Sequence, residues 1–452
     1  MIQRSPLGLL PDRWSLVQLK DIATKIGSGA TPRGGSSVYL ASRTNYALIR
    51  SQHVFDRHFD REGLVFITDE QATELQKVAV QPRDVLLNIT GDGITFGRAC
   101  IAPKDVLPAC VNQHVSIIRA DLKVCLPEYL LCYLTHPAIK GYIESFNAGG
   151  SRRAITKGNI ESFKVPLPPL GEQKAIAHIL GTLDDKIELN QQINHTLEAI
   201  ARALFKSWFI DFDPVRAKLD GRQPVGMDAE TTALFPDEFE DSALGKIPKG
   251  WTVKKLKDVL EVSRSGLKPE EFREESFDYF SLPAFDEGKL PKVEEGNQIK
   301  SNKYIVHNNA VLLSKLNPHI PRVWLPSTSL TRRAVCSTEF LVILPLQGMT
   351  REYLYSLCNS QGFLETFSTM VTGTSGSHQR VKPEYLLNMD IVVSSPEITS
   401  QFTEIVGSLY RKVHENLSES QIFSSIRNAL LPKLLSGEIR VQDAEKVVEA
   451  VV

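Results

Sequence analysis

The longest hydrophobic pattern in the chain runs through EQKAIAHILGTLDDKIELNQQINHTLEAIARALFKSWFIDF, from Glu172 to about Phe212. Apolar residues recur in steps of four and three: Ile176, Leu180, Leu183 and Ile187, then Leu197, Ala201, Leu204 and Trp208. That spacing predicts one helix with a heptad seam along one face. Two positions in the middle of the seam, Asn190 and Asn194, are polar. About 38 helical residues would span about 57 Å, long for the interior of a compact domain, so the helix needs a partner. The same pattern returns 226 residues later at Phe402, Val406, Leu409, Val413, Asn416, Ser420, Phe423, Arg427, Leu430 and Leu434. Its polar positions again fall in the middle, and ILGTLDDKI (179–187) becomes IVGSLYRKV (405–413).

The repetition extends beyond the helices. LPDRWSLVQLKD (10–21) matches IPKGWTVKKLKD (247–258), RDVLLN (83–88) matches NAVLLS (309–314), and PEYLLCYL (127–134) matches REYLYSL (351–357). GSRRAI (150–155) matches GSHQRV (376–381). Matches in constant order and nearly constant offset predict a tandem duplication: globular unit, long helix, linker, globular unit, long helix. A pseudo-twofold relation between the halves makes the two helices antiparallel, with Asn190 and Asn194 opposite Asn416 and Ser420. Such a polar centre fixes the register, because a slip would bury unpaired amides against Leu and Ile.

Each globular unit reads as mixed α/β, so the fold class is α+β. Val85–Ile89, Val115–Arg119 and Glu339–Leu344 read as strands, and Glu128–Thr135 and Glu352–Cys358 as helices. The loops are rich in Gly, Pro and Ser. The predicted boundaries are residues 1–169 for the first unit, 170–212 for its helix, 213–245 for an acidic extended linker, 246–396 for the second unit, 397–440 for its helix and 441–452 for a frayed tail.

With 452 residues, two or three domains are expected. The net charge of −1 argues against a nucleic-acid binder until it is divided. Residues 1–165 carry 20 basic and 15 acidic side chains, or +5; residues 246–398 carry 19 and 17, or +2. Residues 211–245 carry 3 and 9, or −6, so an acidic linker masks two mildly basic units. No apolar run reaches membrane-span length and no signal-peptide core opens the chain. The six cysteines form no C-x-x-C pair, which predicts reduced thiols in a cytoplasmic protein.

Catalytic motifs fail one after another. GATPRGGS (29–36) resembles a phosphate-binding loop, but Gly35 stands where the lysine is required. The glycines of GDGITFG (91–97) have the wrong spacing for a dinucleotide fingerprint and suit a strand-exit turn. NPHI (317–320) lacks the second proline and the aromatic residue that would stack on a flipped base. Pro236-Asp237 has no nearby E-x-K, and no His/Cys cluster has zinc spacing. The chain is therefore expected not to be an enzyme and to hold no metal or cofactor.

What remains is chemistry suited to recognition. Arg33, Arg152, Arg153, Lys315, Arg322, Arg332, Arg333 and Arg380, with Ser151, Ser377, His378 and Gln379, occupy loops and strand ends in the two units. Arg reads guanine bidentately, Gln reads adenine, and Ser holds phosphates. Because the scaffolds match while loop residues differ, the two units would read different half-sites. A structural adaptor whose globular units bind proteins is the alternative.

Several motifs together carry a family resemblance: LPDRWSLVQLKD, VLLNITGD (85–92), VNQH (111–114), PLPPLGEQKAIAHILGTLDDKI (166–187), KSWFIDFDPVRAK (206–218) and GKIPKGW (245–251). Over nearly its whole length the chain resembles the specificity (S) subunits of bacterial type I restriction–modification systems. The second copy departs from the pattern, with SSPEITSQF (394–402) in place of the PLPP…EQK form. The resemblance implies two target-recognition domains on a split double-stranded DNA sequence. It also implies paired helices that act as ruler and as dock for two modification (methyltransferase) subunits, with restriction (motor-nuclease) subunits joining them. Methyl donor, ATP and Mg would then belong to the partner subunits.

Overall fold

The computed structural model describes residues 4–43, 45–147, 153–372 and 379–452. It divides into two compact units, Met1–Glu188 with Gln421–Val452 and Leu189–Ser420. Two long helices, Leu170–Phe209 and Pro396–Ser436, each contribute residues to both units.

In unit one, a four-stranded antiparallel sheet has the order Ala99–Ile101, Val85–Asn88, Val115–Ala120, Ala23–Ser28. A second sheet has the order Val65–Ile67, Tyr46–Ile49, Ala109–Val111, Ala79–Val80, with its two central strands parallel. Val85 and Leu87 face a core shared with helix Pro127–Leu134, whereas Leu86 faces the second sheet. Both faces are covered, so the strand is a continuous apolar run rather than an alternating one. Helix Pro127–Leu134 is tied to the last strand by Tyr129 and Tyr133, whose hydroxyls donate to the carbonyls of Pro166 and Lys164 at 2.7 Å each. Ile176, Ile179, Leu180 and Leu183 of the first long helix meet Phe423, Leu430, Leu431, Leu434 and Leu435 of the second in the same core; Ile187 is half-buried beside it.

Unit two repeats this plan. One sheet has the order Leu260–Ser263, Phe340–Pro345, Val311–Ser314, Val323–Trp324. The other has Gly266–Leu267, Lys303–Ile305, Arg333–Cys336, Ser276–Phe280, Lys292–Glu295, again with one parallel pair, Ser276–Phe280 with Arg333–Cys336. Leu312 and Val342 face one core and Val311, Leu313, Leu341 and Ile343 the other. Ala201, Phe205, Trp208 and Phe209 meet Phe402, Val406 and Tyr410; Leu204 and Leu409 are half-buried at the edge.

In unit one the first half of the first helix meets the last half of the second, and in unit two the last half of the first meets the first half of the second, so the pairing is antiparallel. In unit two the Asn190 amide donates to Glu419 Oε2 (2.7 Å) and Ser420 Oγ (3.3 Å). Asn416 donates to Asn194 Oδ1 at 2.8 Å, and Asn194 donates to the Val413 carbonyl at 3.4 Å. Val413 is buried beside them, and Leu197 is half-buried. The apolar face is wider than a heptad seam: Ile179, Phe205, Phe209, Leu431 and Leu435 are also buried, because each helix packs on its globular unit as well as on the other helix.

Two expected loose segments are ordered. Residues 213–245 hold helices Asp213–Leu219 and Ala229–Leu234, then a hairpin, Phe239–Ser242 with Gly245–Pro248. Low average hydrophobicity conceals a few well-placed anchors: Phe212, Val215 and Phe235 enter the core around Trp208, Phe209 and Trp251. The hairpin repeats the one formed by Arg4–Ser5 and Gly8–Leu9. Ser5 Oγ donates to the Gly8 carbonyl (3.1 Å), as Ser242 Oγ does to Gly245 (2.7 Å), with both glycines at positive φ, 106° and 97°. The second copy of the duplication therefore begins before residue 246. At the other end, Val441–Glu449 is helical and buries Ala444 and Val448 in the core of unit one.

Candidate nucleic-acid interface

In unit one the chain passes from the second sheet (Ala109–Val111) to the first (Val115–Ala120) through a tight turn. The Val115 N–H donates to the Asn112 carbonyl and the His114 N–H to Asn112 Oδ1, both at 3.1 Å. Unit two makes the same turn with different residues. The Phe340 N–H donates to the Ser337 carbonyl (3.0 Å) and the Glu339 N–H to Ser337 Oγ (3.3 Å). Asn and Ser suit this position because their short side chains cap a neighbouring amide. The middle residues are Gln113-His114 in one unit and Thr338-Glu339 in the other.

Two further segments join each turn. The Ile89 N–H donates to the His114 carbonyl and the Ile155 N–H to the Ile89 carbonyl, both at 3.0 Å. The Lys315 N–H donates to the Glu339 carbonyl (2.9 Å) and the Val381 N–H to the Lys315 carbonyl (3.0 Å). On the same backbone the side chains differ. In unit one His114 Nδ1 lies 2.5 Å from Thr90 Oγ1 and its Nε2 lies 3.3 Å from Gln113 Nε2. In unit two Glu339 receives Arg380, with Nε and Nη2 contacts of 2.9 Å. The glycine-rich segment after Ala23–Ser28 rests on the turn of unit one. The Gly29 N–H donates to the Val115 carbonyl (2.9 Å), and a Cβ on Gly29 would run into the carbonyl oxygens of Val111 and Asn112.

The candidate residues are placed unevenly. Arg33 is exposed on the glycine-rich segment. Lys315, Gln379 and Arg380 converge beside the turn of unit two, where the Gln379 carbonyl accepts the Asn317 N–H (2.9 Å). Arg153 lies on the strand paired with Thr90–Gly91 and binds Glu144 at 2.5 Å. Arg322 grips Asp286 bidentately (2.7 and 2.8 Å) on helix Leu282–Gly288, and Arg332 binds the buried Asp278 (2.7 Å). Arg333 binds Glu275 and lies 4.0 Å from the centre of the Phe272 ring. Ser151, Arg152, Ser377 and His378 lie outside the described residues. A carboxylate partner compensates an arginine's charge locally and fixes its fork, so these five described arginines are oriented groups rather than loose phosphate attractors.

All six cysteines are buried, and burial pushes the Cys110 thiol up to about 11 and Cys125 and Cys358 to about 12. They stay protonated and unreactive at neutral pH. Among the described residues no group of His, Cys, Asp and Glu could hold a metal ion, and no helix is long and apolar enough to cross a membrane.

A sequence profile described as "Type I restriction modification DNA specificity domain" matches residues 11–199 and 248–413. The type I restriction enzyme MjaIX specificity subunit of Methanocaldococcus jannaschii is 25% identical over 451 residues, covering 98% of this chain and 97% of that one. The HindI specificity subunit of Haemophilus influenzae is 27% identical over 413 residues, covering 80% and 88%. The crystal structure of a type I restriction–modification S subunit from M. genitalium superposes with a TM-score of 0.57 at 13% identity, covering 95% of this chain and 98% of that one.

Proposed function

The chain belongs to the type I restriction–modification DNA specificity family, and from that premise we propose that its two units read the two parts of a split double-stranded DNA target while its paired helices dock two modification subunits. It is a specificity subunit, the non-catalytic DNA-recognition component of such a system. One observation carries the split target: the same two-sheet scaffold occurs twice, with the same turn and converging segments, but with Gln113 and His114 in one copy where the other has Thr338 and Glu339. Matching frames with different donors and acceptors suit two different base sequences. Among the described candidates, Arg33 and Lys315 supply phosphate-directed donors, Arg153 and Arg380 supply oriented guanine-directed forks, and Gln379 supplies an adenine-reading amide. Methyl donor, ATP and Mg act in the partner subunits, restriction subunits included, and the complex works in the cytoplasm.

The test assembles the chain with its modification subunits and replaces residues 22–165 by the same segment of a relative with another target. Sequencing of the methylated DNA should show one half of the motif changed and the other retained. Change in both halves would refute the division of labour, and failure of the intact chain to bind modification subunits would refute the docking role.

A further inference from the structure

The turn between the two sheets of unit one holds an ordered chain of side-chain hydrogen bonds. Thr31 Oγ1 donates to Gln113 Oε1, Gln113 Nε2 meets His114 Nε2 at 3.3 Å, and His114 Nδ1 meets Thr90 Oγ1 at 2.5 Å. With the Gln113 amide oriented in this way, one assignment satisfies every step. Gln113 donates to an unprotonated Nε2, so His114 carries its proton on Nδ1 and donates it to Thr90. The amide of Gln113 is thereby held by a bond at each end, although the residue is exposed.

An amide has two donor hydrogens and two acceptor lone pairs. The chain of bonds uses one of each, and leaves Gln113 one N–H and one lone pair. That is the pair of groups that reads the N7 acceptor and N6 donor of adenine in the major groove. An exposed glutamine ordinarily loses much rotamer freedom when it binds; here the cost is met within the fold, as for a preorganised binding group. The backbone beneath it is stiff, since Asn112 caps the turn and Gly29 presses on it.

We infer that Gln113 is a base-reading residue of unit one and that His114 positions it; this rests on the reading that unit one recognises DNA. The inference identifies a specificity determinant at the junction of the sheets, on the turn against which the Arg33-bearing segment rests. In unit two the corresponding turn carries Thr338 and Glu339, and Glu339 is engaged by Arg380, so that turn presents a different pattern to its half-site.

The experiment uses the full chain assembled with its modification subunits, methylating a randomised DNA library that is then sequenced. Gln113→Ala should relax one base position in one half-site by about tenfold or more, the range for losing a bidentate base contact, with the other half-site unaltered. Gln113→Glu should shift the preferred base at that same position, because a carboxylate only accepts. His114→Phe should weaken discrimination at that position less than Gln113→Ala does. Unchanged preference in both Gln113 variants, or uniform weakening at all sites, would overturn the inference. A wild-type assembly with no split motif would instead overturn the proposed function, and the inference with it. Urea midpoints of the Gln113 variants should stay at the wild-type value, as expected for an exposed side chain.

Discussion

In unit one the helix pair meets the globular part through charge. Arg57, in a left-handed conformation (φ 63°), donates to Asp184 Oδ2 at 2.5 Å, and Arg427 of the second helix donates to Asp184 Oδ1 at 2.8 Å. In unit two the position equivalent to Asp184 is Tyr410, whose hydroxyl lies 2.7 Å from Ser356 Oγ and whose ring meets Tyr355 edge-on at 5.0 Å. The aliphatic contacts of unit one also become an aromatic group in unit two. Phe402 lies within 5.1 to 6.4 Å of Phe205, Trp208, Phe209 and Tyr353. The duplicated topology thus constrains where side chains meet and leaves the chemistry of each meeting open.

Five substitutions would break or sharpen this contrast. Phe402→Ala should have the largest effect, a loss of about 3–5 kcal/mol in urea unfolding, because it opens the centre of four packed rings. Loss below about 1 kcal/mol would show that the aromatic group is not the anchor. Asp184→Asn should cost about 3 kcal/mol, the lower end for breaking a buried pair, since Arg57 is 7% exposed but Asp184 is 19% exposed. The matching Tyr410→Phe should cost only about 1 kcal/mol, as for one neutral hydrogen bond. Equal costs would remove the distinction between the two junctions. Smallest is the difference at the helix starts. Gln173 is fully buried, accepting from the Leu126 N–H (2.9 Å) and donating to the carbonyls of Val124 (2.9 Å) and Pro168 (2.8 Å). Its counterpart Thr399 reaches only Ser394 and Ser395. Gln173→Ala should therefore cost about 2 kcal/mol and Thr399→Ala about half of that by the same unfolding measurement; the reverse order would contradict the geometry.

The sequence revealed the long helices because their apolar spacing is regular over ten turns, and it revealed the central strand of unit one because Val85–Leu87 is an unbroken apolar run. The duplication was visible for the same reason. The helix span was close, Glu172 to Phe212 expected against Leu170–Phe209 found. What escaped were features made by distant partners. The acids that hold Arg322, Arg333 and Arg380 lie 36, 58 and 41 residues away, and no local pattern announces them. The order of 213–245 escaped because a few buried anchors decide the state of a segment whose average is polar. VNQH carried a family resemblance, yet Gln113 is oriented by Thr31 and, through His114, by Thr90, each remote in sequence.

Each long helix supplies both units, and this dictates the order in which a growing chain can finish them. Unit two is complete once Ser420 has been made. Unit one starts first, but its core needs Phe423, Leu430, Leu434 and Val448, made after everything in unit two. During synthesis from the N-terminus, the earlier-born globule must therefore wait with an uncovered apolar flank while the later one closes. Its own half of the first helix can lie against the globular part but not against a partner helix until the ribosome has delivered the last turns of the second.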